Sequence, residues 1–185
     1  MATRAVLLGA LLIVAMGGNA QDAQEKDLRI ANADNAAAVQ ASQADRRFLQ
    51  LAIDSSAKEI QLSQRALEKG ERAQVKQFAE QMIQDHGGTN RELMALNEAL
   101  LGEKGPPYKR ASSKVKREVE QLSRLEGAEF DRRYMAIMIK DHRDAVDLYS
   151  KQAARGENPQ LKALAKKTLP NLERHLEMAE EIGSK

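Results

Sequence analysis

Three histidines, His86, His142 and His175, are all that the sequence contains, and each falls within or at the edge of the apolar arc of a strongly helical stretch. Glu59 is placed the same way on a fourth. Two of the histidines sit in near copies of one pentapeptide, Met82-Ile83-Gln84-Asp85-His86 and Met138-Ile139-Lys140-Asp141-His142. An unpaired buried carboxylate costs several kcal/mol, so four inward polar groups on four helices are best explained if they converge. Three imidazoles with Glu59, and with Asp85 and Asp141 beside them, suit zinc, copper or iron, since the chain has no cysteine to supply a thiolate. Met82 and Met138 each precede a histidine by four residues and Met178 follows His175 by three. As soft ligands these thioethers would favour copper, whereas as core filler in a Trp-free chain they need no metal at all. The competing reading of the whole cluster is a structural polar network in which the imidazoles and carboxylates satisfy one another.

The elements that must carry these groups are legible from periodicity and punctuation. Ser42 with Asp45 three residues later forms a capping box that opens a helix ending at Lys69, just before Gly70. Phe48, Ala52, Ser55, Glu59, Leu62 and Ala66 lie along one line of that helix at 100° per residue. A second helix follows Gly70 with Val75, Phe78, Ala79, Met82, His86 and Leu93 on one face. Gly87-Gly88 directly after His86 predicts a bend or a close approach, because each glycine costs about 1 kcal/mol inside a helix. The stretch 102–113, with Gly105-Pro106-Pro107, is the clear loop. Val115–Leu125 is expected to be a short helix on this long connection. A third long helix spans about 128–155 with Phe130, Tyr134, Met138, Asp141, Ala145 and Tyr149 inward, and His142 at the edge of the arc. Asn158-Pro159 then provides an N-cap and first-position pair for a fourth, whose face carries Leu161, Leu164, Leu172, His175 and Ala179. Pro170 inside it predicts a kink one turn before His175.

An internal repeat supports two hairpins. Phe48 to Glu59 has the separation of Phe130 to Asp141, and Val75–Ala79 echoes Leu161–Ala165. Counted from the turns at Gly70 and Gly156, Glu59, His86, His142 and His175 lie eleven, sixteen, fourteen and nineteen residues deep. At about 1.5 Å of rise per residue, those depths agree to within about two helical turns.

Composition limits the partners. Acidic and basic residues nearly cancel, at 27 and 29, and no basic run exceeds a pair, so nucleic acid is not an expected partner. Residues 1–20 read as a signal peptide: Arg4, an apolar run over 5–16, and Gly18-Asn19-Ala20 as the cleavage site. That run is short of the roughly 20 residues that a membrane span needs, so no transmembrane segment is expected once the signal is removed. Residues 21–41 read as a flexible leader and 42–185 as the folded domain. The expected location is the periplasm or the medium.

The block from Phe48 to Ile182, with Glu59, Met82-x-x-Asp85-His86, Gly127-Ala128-Glu129-Phe130-Asp131, Asp141-His142, Leu169-Pro170 and His175, resembles a bacterial family of unknown function often labelled "predicted outer membrane protein". The resemblance implies an all-α, ferritin-like four-helix bundle in the cell envelope, associated with the outer membrane if the label holds, and no established activity. The ferritin di-iron pattern is missing: residues three before the histidines are Ile83, Ile139 and Leu172 rather than Glu. No nucleophile–base constellation or phosphate-binding glycine loop argues for an enzyme. The sequence therefore points to a metal-binding helical module of the cell envelope, the alternative being a non-catalytic envelope or stress-related interaction protein with a polar core and no metal.

Overall fold

The computed structural model describes residues 41–102 and 113–184. The expected signal peptide, the leader up to residue 40 and most of the loop after Gly102 lie outside the described residues. Those described form five helices and no strand: α1 (Gln43–Lys69), α2 (Ala73–Leu101), α3 (Ser113–Ser123), α4 (Gly127–Arg155) and α5 (Pro159–Gly183). The chain is thus all-α. The helices α1 and α2 form one hairpin and α4 and α5 another, each closed by a three-residue turn. The hairpins pack mainly through α1 on α4, with α2 also touching α5, while α3 lies against α1 and α4.

Local chemistry explains the boundaries. Ser42 and Asp45 form the reciprocal capping box, and the Asn158 side chain accepts the N–H groups of Gln160 and Leu161 to open α5 at Pro159. In each turn a carboxylate from the opposite hairpin takes the exposed backbone donors. Asp131 of α4 accepts from Glu71 N at 3.1 Å and Arg72 N at 2.9 Å. At the other end, Asp45 of α1 accepts from Asn158 N at 3.2 Å and from Gln152 Nε2 at 2.7 Å. Gly70 is required here, because a Cβ would meet Ala66 O at 2.6 Å and Asp131 Oδ1 at 3.1 Å.

The core is divided into two apolar clusters. One gathers Leu62, Phe78, Met82, Phe130, Tyr134 and Met138, the other Phe48, Leu49, Leu93, Tyr149, Leu161 and Leu164. On every long helix, buried polar residues fall between them: Ser56 and Glu59 on α1, His86 and Asn90 on α2, Asp141 and His142 on α4, and His175 on α5. A polar layer in mid-core forgoes the burial of about four aliphatic side chains, about 1.5–3 kcal/mol each.

At three places the helices can be set against the sequence expectations. α2 runs unbroken through Gly87-Gly88. The expected close approach is not found there, since a Cβ on Gly88 would meet no atom within 4 Å and one on Gly87 only Arg91 Nη1 at 3.9 Å. α5 likewise continues through Pro170. Pro170 and Lys166, whose carbonyl loses its helical partner, are both exposed, so water can take the vacated acceptor. Finally, α3 begins and ends two residues earlier than its periodicity suggests.

Candidate metal centre

The polar layer is the meeting point of four helices. Glu59 (α1), His86 (α2), His142 (α4) and His175 (α5) are all buried, with 1, 5, 0 and 1% of their surface exposed. His142, expected at the edge of its arc, is the most deeply enclosed of the three histidines, because α4 is packed against α1 and α3 as well as α5. Each pair of imidazole ring centres is 5.5 Å apart. One ligand atom from each histidine lies within 4.8 Å of the others. Glu59 Oε2 stands 2.9 Å from His86 Nε2 and 3.7 Å from His142 Nε2.

Hydrogen bonds at the rear of the rings fix which nitrogens face inward. His142 Nδ1 donates to the Met138 carbonyl at 2.9 Å, so its Nε2 carries the free lone pair. His175 Nε2 donates to Asp85 Oδ2 at 2.8 Å, leaving its Nδ1 as the acceptor. A carboxylate behind a ligating imidazole is a common device for setting tautomer and basicity at metal sites. On α1, Ser55 Oγ donates to Glu59 Oε1 at 2.8 Å, and Ser56 Oγ donates to the His86 carbonyl at 3.0 Å, which ties α1 to α2 at this level. His86 Nε2, His142 Nε2, His175 Nδ1 and Glu59 Oε2 are buried and make no hydrogen bond of good geometry. Native interiors rarely leave four such atoms in one place.

The electrostatics follow from burial and charge. Burial would push the Glu59 carboxyl up, but the adjacent imidazoles of His86 and His142 and a hydrogen bond from Ser55 hold it at about 2. For His86, burial pulls the imidazole down and the Glu59 carboxylate outweighs it, so its proton is held more tightly than usual. Burial lowers His142, and it drives His175 to about 4 with help from His86. The Glu59 carboxylate thus favours the protonated form of His86, while burial favours the neutral form of His142 and His175. Neutral imidazoles and a carboxylate are the protonation states that metal binding requires.

The other sequence-predicted residues divide. Asp85 supports His175 from behind. Asp141 faces away from the histidines and pairs with Lys58 at 2.8 Å, and Lys58 in turn pairs with Glu118 of α3 at 2.6 Å. Burial lifts the Asp141 carboxyl to about 6 in spite of Lys58. Met82 and Met138 are fully buried in the apolar cluster on one side of the layer, and Met178 packs against that cluster. Sequence reasoning placed Ser55 on the inward line without giving it a role, and it missed Ser56 and Lys58. The serines could have been found one turn and three residues before Glu59, whereas the reach of Lys58 to two other helices has no local signature.

Two solved structures share the fold. One is the crystal structure of a DUF305 fragment from Deinococcus radiodurans, with a TM-score of 0.65 and 21% identity over 78% of this chain and 98% of that one. The other is CopM in its Cu(I)-bound form, with a TM-score of 0.61 and 19% identity over 73% and 91%. No curated protein sequence matches the chain. Residues 31–182 match the family described as domain of unknown function DUF4142, and the chain belongs to that family.

Proposed function

We propose that this protein is an exported, ferritin-like four-helix module whose work is to bind one transition-metal ion between its two hairpins, through His86, His142, His175 and Glu59. The observation that carries the reading is the gathering of one ligand nitrogen from each of three buried histidines within 4.8 Å of one another, beside a buried carboxylate, with four inward atoms that make no hydrogen bond of good geometry. Donors around a tetrahedral ion with bonds near 2 Å lie about 3.4 Å apart. Nitrogens within 4.8 Å of one another thus need to close by about an ångström, within the reach of small χ rotations. The chemistry of three imidazoles and a carboxylate admits zinc, copper and iron, and the affinity order of divalent ions at such donors puts copper first. The copper-bound state of CopM, a protein of the same fold, favours the same choice. Met82, Met138 and Met178 lie on the adjoining side as thioethers for a reduced ion. The ion would supply a Lewis-acidic or redox centre, while the protein sets tautomers through Met138 and Asp85 and excludes water.

Export is supported by the signal-like residues 1–20, and among the described residues no helix is long and apolar enough to cross a membrane. The Glu59–His86 contact at 2.9 Å favours a second reading, a metal-free polar layer that fixes helix register. Titration of untagged protein decides between them. One copper or zinc ion per chain, a melting temperature that rises with metal and a dissociation constant below about 0.1 mM are expected. His142→Ala should abolish the metal-dependent shift. A parent whose melting temperature ignores stoichiometric copper, zinc and iron, with no calorimetric binding, would leave only the register reading.

A further inference from the structure

Resting on the reading of the layer as a metal centre, we infer that the ion reaches it through the groove between α1 and α4, past a lysine latch formed by Lys58. This groove, of about 650 Å³, is acidic: Asp54, Glu118, Asp141, Asp144 and Asp147 all line it. Lys140 and Lys151 offset Asp144 and Asp147 along α4. Lys58 lines it as well, bound across it to Glu118 of α3 and Asp141 of α4.

Behind the groove lies a void of about 10 Å³, the size of one small ion or water, with Glu59 and His86 in its wall. Groove and void share Ser55, Ala145 and Leu148. The partition between solvent and the ligand atoms is therefore one side chain thick. Glu59 is buried and lines the void, and its Oε2 stands 2.9 Å from His86 Nε2. The Ser55 hydroxyl in the partition already holds the other oxygen of that carboxylate.

A cation drawn into the acidic groove competes with the Lys58 ammonium for Asp141 and Glu118. Once the latch is displaced, rotation of Ser55 and Leu148 opens the void. The carboxylates concentrate cations at the mouth, and Lys58 opposes their final approach. Release must retrace the same path, so the latch sets exchange rate and leaves equilibrium affinity alone.

Stopped-flow mixing of metal-free protein with Cu²⁺ tests this, read by quenching of tyrosine emission, since Tyr149 lines the void and the chain has no tryptophan. Narrowing the partition by Leu148→Phe, or by the milder Ala145→Val, should slow association and dissociation together by about tenfold, with the dissociation constant unchanged. Lys58→Gln should speed association several-fold and make it fall more steeply with salt. Parent-like rates in both narrowed variants would overturn the inference, as would equal slowing by Gln81→Phe on the opposite, Asp85 side. If the parent binds no Cu²⁺ at all, the reading of the site falls and takes this inference with it, whereas binding with unaltered rates removes the route alone.

Discussion

Two polar clusters lie side by side in this molecule, and neighbouring residues of the chain feed both. Lys58 and Asp141 meet Glu118 in a partly open ion-pair cluster, while Glu59 and His142, their immediate neighbours, meet His86 and His175 in the closed layer. One residue along a helix is a rotation of about 100°, and it separates two physical regimes. The outer cluster is a chain of ion pairs in which Lys58 holds Glu118 at 2.6 Å and Asp141 at 2.8 Å, with only Asp141 Oδ2 lacking a hydrogen bond of good geometry. The inner one is buried more deeply, and although Glu59 and His86 pair at 2.9 Å, the inward nitrogens of His142 and His175 have no hydrogen bond. Burial and charge alone therefore do not mark a site. What marks the inner cluster is unmet bonding capacity.

The sharpest way to break the comparison is to remove the charge at the centre of the inner cluster. Glu59→Leu keeps volume while stranding the His86 proton, and should destabilise the metal-free protein by about 3 kcal/mol. That is the low end for breaking a buried pair, since His86 can shed its proton. Denaturant unfolding at neutral pH measures it, and a change below about 1 kcal/mol would put the two clusters on the same footing. Next in size, Asp85→Ala should weaken metal binding by about tenfold, by freeing the tautomer and orientation of His175, with little change in metal-free stability.

The pH response should separate the clusters again. Burial lowers His175 to about 4 from an unfolded value near 6.5, so between these values the unfolded chain binds the extra proton. The contribution of His175 therefore erodes stability as pH falls through that window. His175→Gln should flatten the slope of metal-free stability between about pH 6.5 and 4. A slope identical to the parent's would show that the ring is not held neutral by its surroundings. The smallest effect belongs to the outer cluster. Lys58→Met should cost about 1 kcal/mol or less, because Asp141, already lifted to about 6, can take up a proton when the lysine is gone. Its metal affinity should match the parent's.

Much of this arrangement was legible in the sequence, and for identifiable reasons. The caps at Ser42 and Asn158 and the stops at Gly70 and Gly156 rest on local chemistry, which one chain segment displays by itself. Counting inward from those turns placed Glu59, His86, His142 and His175 at similar depth, and the structure brings them together. What stayed hidden depends on rotation and on third parties. Asp141 was read as a neighbour of the histidines because it shares their depth, but it faces Lys58 and α3. His142 lay on the rim of its own arc until α1 and α3 widened the buried face of α4. Gly87-Gly88 carried a sequence signal of close packing that the surroundings do not use.

The turn carboxylates have an evolutionary consequence. If the chain arose by doubling of one hairpin, the ancestor would have had to satisfy its own turn, or a twin's, with one sequence. Here the exchange is reciprocal but no longer symmetric. Asp45 is the third residue of α1 and Asp131 the fifth of α4, so they are not copies of one ancestral aspartate. Each hairpin tip takes its carboxylate from the other half, and the two carboxylates come from different positions of their helices. The two hairpins are in that sense tied to each other at both ends.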